Sequence, residues 1–502
     1  MKTLFYNGII YDRDYNKNNS MIIENDKIIA IADDLNCNDV DTKIDLLGKT
    51  ILPSFLDAHS HITSIAMSYL QVDLGSCTSI NEIKDILSKY YTENKPTIIN
   101  AINYDHNKLI EKRHPTKDDI DDVIPNIPVV LSHNSNHFGV LNTKAIKLLN
   151  VKTANGFLQE TDFVNAIRLL PLPSIDDIIK CYKKAQDYYA SYGICYVQDG
   201  MIVKEMLPIY QKLLDSDLLY LDIFGYPAIE EKDLILKALD NRNSLFKIKG
   251  YKIILDGSPQ GKTAYMLTPY LGTNDCSSPL ISDEKLEKYL DIAINDNKQL
   301  IAHCNGDHAS LQFINACKKK NIESIKAIKP VIIHGQLLNV NQLDDVKKLG
   351  IIPSFFIAHV YYFGDIHIQN FGLSRASKIS PAKSCLDKDI LFTFHQDSPV
   401  INPNMFETIQ ISVNRLTKNN ILLGSDEQIS LKDALDAVTK NVARQYGIED
   451  ECGYLAIGMK ASFIIIDKDI FACKKEEIKD IKILETYKNG KCIYTNNKWY
   501  FK

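Results

Sequence analysis

Residues 52–61 read Leu52-Pro53-Ser54-Phe55-Leu56-Asp57-Ala58-His59-Ser60-His61, a strand-length apolar run ending in His-x-His. On a strand, positions i and i+2 share a face, so His59 and His61 point into one space. Two imidazoles placed this way suit zinc and related divalent metals. Alone, the pair is as readily two solvated histidines. Three more polar residues follow apolar runs: His303 after Gln299–Ala302, His334 after Val331–Ile333, and Asp397 after Leu391–Phe394, within His395-Gln396-Asp397-Ser398-Pro399. Any one of these is more often a packing or hydrogen-bonding residue. Their recurrence downstream of His-x-His points to a metal shell of four histidines and one aspartate at strand ends.

The elements that must position this shell are legible as alternation. Apolar runs recur at Ile51–Ala58, Ile194–Gln198, Leu219–Phe224, Tyr251–Leu255, Gln299–Ala302, Val331–Ile333, Ile351–Ser354 and Leu391–Phe394. Amphipathic stretches such as Asp283–Asp296 and Gln342–Leu349 lie between many of them. Continuous apolar strands alternating with helices predict a parallel sheet buried on both faces. Eight such runs fit an α/β fold of the (β/α)8 TIM-like barrel type, whose strand ends carry chemistry. An open doubly wound sheet is the alternative, but the chain has no Gly-x-Gly-x-x-Gly. The stretch 63–170 is long for one crossover and predicts an inserted subdomain over the barrel mouth.

Both chain ends are β-rich. Leu4–Tyr11, Met21–Glu24 and Lys27–Ile31 predict strands at one end. Ala461–Ile466, Lys482–Lys488 and Lys491–Tyr494 do so at the other, with Asn489-Gly490 as a hairpin turn. We therefore expect a small β-sandwich domain from residues 1–50 and 448–502, and a barrel over 51–447.

Composition sets the class. Of 502 residues, 45% are hydrophobic and 24% charged, ordinary for a globular enzyme with a satellite domain. A net charge of -5 and a pI near 6.2 argue against nucleic acid or an anionic membrane as partner. No apolar run is long enough to span a bilayer, and no signal core opens the chain. The 11 cysteines are scattered without a Cys-x-x-Cys pair. Together these lead us to expect a cytoplasmic protein with reduced thiols.

These motifs, taken with several others, resemble the amidohydrolase superfamily, specifically its YtcJ-like subgroup (amidohydrolase family 3). The resemblance includes Asn7-Gly8, Pro53–His61, Leu255-Asp256-Gly257-Ser258 with Lys262-Thr263-Ala264, and Pro269-Tyr270. It continues through His303-Cys304-Asn305-Gly306-Asp307, His334-Gly335-Gln336, Asp397-Ser398-Pro399 and the closing segment Gly453–Ala461. The resemblance implies that His59 and His61 bind a deeper metal, His303 and His334 an outer one, and that Asp397 contacts metal and water as general base. It implies one or two divalent ions per chain, zinc by preference. Lys252 matches a position that in the superfamily can be carboxylated and bridge two metals. A lysine within an apolar strand needs such a reason, or else points outward to solvent.

Two departures stand out. His395-Gln396 replaces the usual Gly-Ser, which makes His395 a candidate substrate contact, and Ala461-Ser462 replaces the usual Ala-Asp. His137, in the insertion, and Phe356, after a strand end, are further candidates for the substrate pocket. The expected activity is hydrolysis of a carbon–nitrogen bond, an amide or cyclic amide, in a small molecule. A deaminase or esterase on the same shell, and a non-catalytic regulatory or binding protein on the same fold, are the alternatives. A homodimer is the expected assembly at the level of the family.

Overall fold

The computed structural model describes residues 1–35, 39–135, 138–171 and 173–496. The chain divides into two compact units, Met1–Thr63 with Ala185–Lys502, and Ser64–Lys184.

In the first unit, parallel strands form two sheets. One runs in the order Phe246–Ile248, Asp222–Pro227, Ile194–Ile202, Phe55–Leu56. The other runs Gly250–Ile254, Gln299–Cys304, Val331–His334, Ile352–Phe355, Thr393–Phe394. An isolated parallel bridge, Ala228↔Lys252, joins the sequence of strands between them. At the far side, Asp397 N donates to His59 O at 3.2 Å and His61 N to Ser398 O at 2.9 Å. The inward apolar side chains of these strands, among them Leu56, Ala58, Cys195, Phe224, Ile301, Ile333 and Ile352, form one buried cluster. Each such Leu or Ile contributes about 1.5–3 kcal/mol by leaving water.

The chain ends build two further sheets. Lys27–Ala32, Ser20–Glu24, Lys2–Tyr6 and Thr42–Asp45 make one; Lys491–Thr495, Ile483–Lys488, Phe463–Ile466, Thr50–Pro53, Ile9–Tyr11 and Lys17–Asn18 make the other. Phe5, Met21, Ile23, Ile51, Phe463, Ile465 and Tyr487 share one core across them. The Asn489-Gly490 hairpin forms as read, with both residues at positive φ.

Two expected strands are corrected. Leu4–Tyr11 is broken at Asn7, whose φ is 57°, and at Gly8, where a Cβ would meet Leu46 Cδ1 at 2.3 Å. Ile51–Ala58 is also two strands in two different sheets. Pro53, opposite Phe463, is the last residue of the first strand. Ser54 N still donates to Ser462 O at 3.1 Å, in line with that pairing, and the change of partner comes at Phe55, whose N donates to Gly193 O at 2.9 Å. An apolar run carries no mark of a change of sheet, because both halves are buried.

The second unit holds a five-stranded sheet, Phe157–Gln159, Phe138–Leu141, Val129–His133, Ile99–Tyr104, Gln71–Asp73. Helix Ile80–Asn94 is capped by Ser79, whose side chain accepts from Glu82 N, and buries Ile80, Ile83 and Leu87. Among the described residues no helix is long and apolar enough to cross a membrane.

Candidate metal centre

His59, His61 and Asp397 each offer a ligand atom within 4.8 Å of the others. Asp397 Oδ1 lies 3.2 Å from His61 Nε2 and 3.5 Å from His59 Nε2. Although these distances are short, this buried oxygen accepts no hydrogen bond of acceptable geometry. A carboxylate oxygen thus faces two imidazole nitrogens with nothing paired to it. An uncompensated arrangement of this kind is costly unless a cation completes it. The residues fit a divalent metal.

The tautomer of His59 follows from its partner. Gln198 Nε2 donates to Ala58 O at 2.9 Å, which fixes the amide and turns Oε1 toward His59 Nδ1 at 2.5 Å. Nδ1 therefore carries the proton, and Nε2 presents its lone pair toward Asp397. Tyr446 steadies the same amide, 3.1 Å from Gln198 Nε2, while its hydroxyl donates to Asp57 O at 2.6 Å. Backing of this kind orients a ligating imidazole and raises its basicity.

Lys252 is buried, and its Nζ lies 3.3 Å from His59 Nε2. The alternation of its strand turns it inward, while Tyr251 on the other face donates to Asp296 at 2.8 Å. Burial pushes the Lys252 ammonium down to about 8. His303 Nε2 donates to Gly257 O at 3.0 Å, which frees Nδ1 as a lone pair. Its ring is 4.7 Å from that of His334, and His334 Nε2 is 3.9 Å from Asp397 Oδ2. Burial holds His303 down at about 4 and His59 and His334 well below the usual imidazole range, so all three are neutral donors at neutral pH. Burial alone would raise Asp397, but the adjoining His61, His334 and His59 rings outweigh it and keep the carboxylate ionised.

Backbone conformation marks the same residues. His334 and Asp397 have φ of 71° and 54°. Left-handed backbone is uncommon outside glycine and persists where surroundings enforce it. Gly200 is required by close approach, because a Cβ there would sit 2.3 Å from His59 Cε1. His395 is fully buried between Ser354 Oγ at 2.9 Å and His334 Nδ1 at 3.2 Å. Phe356 is buried too, its ring stacked on that of His395 at 5.7 Å. His137 lies outside the described residues.

The sequence profile of the amidohydrolase family matches residues 42–494. The chain belongs to this family. It is 21% identical over 490 residues to the N-substituted formamide deformylase of Arthrobacter pascens, covering 90% of this chain and 89% of that one. It is 23% identical over 492 residues to YtcJ of Bacillus subtilis, covering 90% of each. Among solved structures, an uncharacterized metal-dependent hydrolase from Pyrococcus horikoshii superposes with a TM-score of 0.79 at 24% identity, over 95% of this chain and 99% of that one. The family and this fold support a metal-dependent hydrolase.

This amidohydrolase explains one of its sequence motifs structurally. Asp256 accepts from Asn305 N at 2.9 Å, Gly306 N at 2.7 Å and Tyr265 N at 3.0 Å. It thereby pins the loop that follows His303. The departure at His395-Gln396 is likewise internal: Gln396 Nε2 donates to Thr408 Oγ1 at 2.5 Å. Gln198, Gly200 and Tyr446 lie in no motif noticed in the sequence. A Gln and a Gly late in the apolar run that begins at Ile194 were the available signal.

Proposed function

We propose that this amidohydrolase cleaves a carbon–nitrogen bond, in an amide or cyclic amide, of a small molecule. The observation that carries this reading is Asp397 Oδ1, unpaired and aimed at His59 Nε2 and His61 Nε2. In the proposal His59, His61 and Asp397 hold one divalent cation, and His303 and His334 with Lys252 hold or share a second. Zinc suits this imidazole and carboxylate set. Such a cation supplies Lewis acidity, lowering the pKa of water toward about 7 and polarising a carbonyl.

The chain's own groups do the rest. Asp397, kept ionised by its neighbours, takes a proton from the attacking water. It returns that proton to the departing nitrogen, since amines leave poorly unless protonated. Lys252, whose amine is partly neutral near pH 8, attacks carbon dioxide: a nitrogen–carbon bond forms, a proton is released, and an anionic carbamate faces His59. His395, expected as a substrate contact, also backs a metal ligand in this reading. Its ring stands between Ser354 Oγ and His334 Nδ1, and with the shared proton on His334 Nδ1 the Nε2 of His334 is left to face Asp397. In the same reading the two parallel sheets are the wall of a (β/α)8 barrel, and the sheets of the two chain ends a small β-sandwich domain.

The choice of an amide rests on chemistry shared with the relative that bears a deformylase name. The test is turnover by metal-replete protein on N-formyl amines, other N-acyl compounds, cyclic amides and esters. Hydrolysis of the amide arms, lost on chelation and regained with zinc, is the expected result. Turnover of esters alone, or none after metal loading, sinks the proposal. Lys252→Ala should lower metal occupancy, with short carboxylic acids restoring part of the activity; full occupancy without Lys252 would remove the bridge.

A further inference from the structure

The second unit contains a cluster of histidines that the proposed hydrolysis does not use. Its sheet pairs Ile99–Tyr104 in parallel with Val129–His133, Tyr104 opposite His133. Both chains of residues leave the sheet at the same end, so Asp105 and His106 meet His133 there. His106 Nδ1 is 3.2 Å from His133 Nε2, and His133 Nε2 is 3.8 Å from Asp105 Oδ1. One ligand atom from each of the three lies within 4.8 Å of the others.

The two spacings to His133 Nε2 are near those of a coordination shell. Two ligands at about 2.0–2.1 Å from a tetrahedral zinc are about 3.3 Å apart. The two imidazole nitrogens stand close to that separation, and the carboxylate oxygen a few tenths beyond it. From Asp105, His106 and His133 we infer a divalent transition-metal site in the second unit, of the two-histidine, one-carboxylate kind, with zinc as its natural occupant. No part of this inference depends on the hydrolytic centre.

The surroundings orient all three groups. Asp105 Oδ1 accepts from Asn107 N at 2.9 Å and Oδ2 from Asn134 Nδ2 at 3.2 Å, which fixes the carboxylate while each oxygen keeps a lone pair. At His133 Nδ1 stand both Ser135 Oγ, at 2.9 Å, and Ser135 N, at 3.1 Å. The hydroxyl can accept an Nδ1 proton, which frees Nε2 for a metal; the N–H can instead donate to a bare Nδ1, which leaves Nε2 protonated toward His106. The ring of His106 stacks on His114 at 4.1 Å, His114 Nδ1 is 3.0 Å from the Tyr104 hydroxyl, and His133 lies 4.2 Å from the Phe138 ring. This aromatic wall excludes water from one side, where a cation–ligand interaction gains strength.

The experiment uses the full chain with His59→Ala, His61→Ala, His303→Ala and His334→Ala, which removes the imidazoles proposed for both cations of the first unit. After equilibrium dialysis against zinc chloride, elemental analysis should find zinc retained. Adding His106→Gln or Asp105→Asn, both partly exposed, should weaken zinc binding at least about 100-fold, more than the loss of an outer-layer partner does. In zinc-loaded crystals of the unmutated chain, anomalous scattering should peak among Asp105, His106 and His133. Zinc absent from this fourfold variant, zinc binding indifferent to both added substitutions, or no anomalous peak would overturn the inference and leave a hydrogen-bonded histidine pair. Because the first centre is removed beforehand, its own failure as a hydrolase would not alter this result.

Discussion

The two clusters make an instructive comparison, since both sit where parallel strands end. In the first unit the group His59, His61 and Asp397 draws on strands more than 300 residues apart in the chain. In the second, Asp105, His106 and His133 fall within one short stretch. What differs is the backing. His59 is held by a buried glutamine that is itself held by Ala58 O and Tyr446, and Gly200 leaves room for its ring. The second cluster leans on exposed residues of two segments, Asn107 in one and Asn134 and Ser135 in the other. Parallel strand ends gather ligands in both cases. Buried support behind the imidazole and an unpaired carboxylate oxygen distinguish the first.

That contrast can be broken or sharpened by mutation. The largest effect is expected from His59→Ala with His61→Ala. Loss of Lewis acidity worth several kcal/mol should lower turnover by roughly 10³-fold or more, with circular dichroism unchanged. Metal-depleted protein that keeps full activity would contradict the assignment. Next is Asp397→Asn, which should keep most of the metal on the histidines yet lose roughly 10²-fold in kcat. His395→Gln should act instead through metal affinity, because its ring lies against His334 Nδ1. A normal kcat for Asp397→Asn beside an inactive His395→Gln would exchange these roles.

Gln198→Leu probes the backing alone. Without its acceptor, His59 loses its fixed tautomer, and metal affinity should fall by about 10–100-fold, read by competition with a chromogenic chelator. An unchanged affinity would mean that strand geometry suffices and the glutamine is packing. The smallest effect on hydrolysis should come from His106→Gln, which removes a ligand of the second cluster only. Steady-state rates should match the parent. A loss comparable to that of Asp397→Asn would show that the two clusters serve one reaction.

Much of the first centre was legible because a polar residue ending an apolar run is conspicuous. His59, His61, His303, His334 and Asp397 announce themselves this way, and Lys252 does so as a charge inside an apolar strand. Their supporting residues do not. Gln198 looks like an ordinary strand residue until the fold brings it to His59, and Gly200 looks like a weak spot until the ring beside it is seen. The resemblance to a family supplied roles that spacing alone leaves open.

The sequence by itself therefore determined which residue types end the apolar strands, the order of those strands and the membership of the family, because hydrophobic patterning and residue chemistry are local. It determined neither the break between Pro53 and Phe55, where one apolar run passes from sheet to sheet, nor the burial of His395 behind His334. Nor did it mark His106 and His133 as neighbours. Those were decided by tertiary structure, since hydrogen-bond partners and the space around a ring depend on which distant segments arrive beside them, and composition is blind to that.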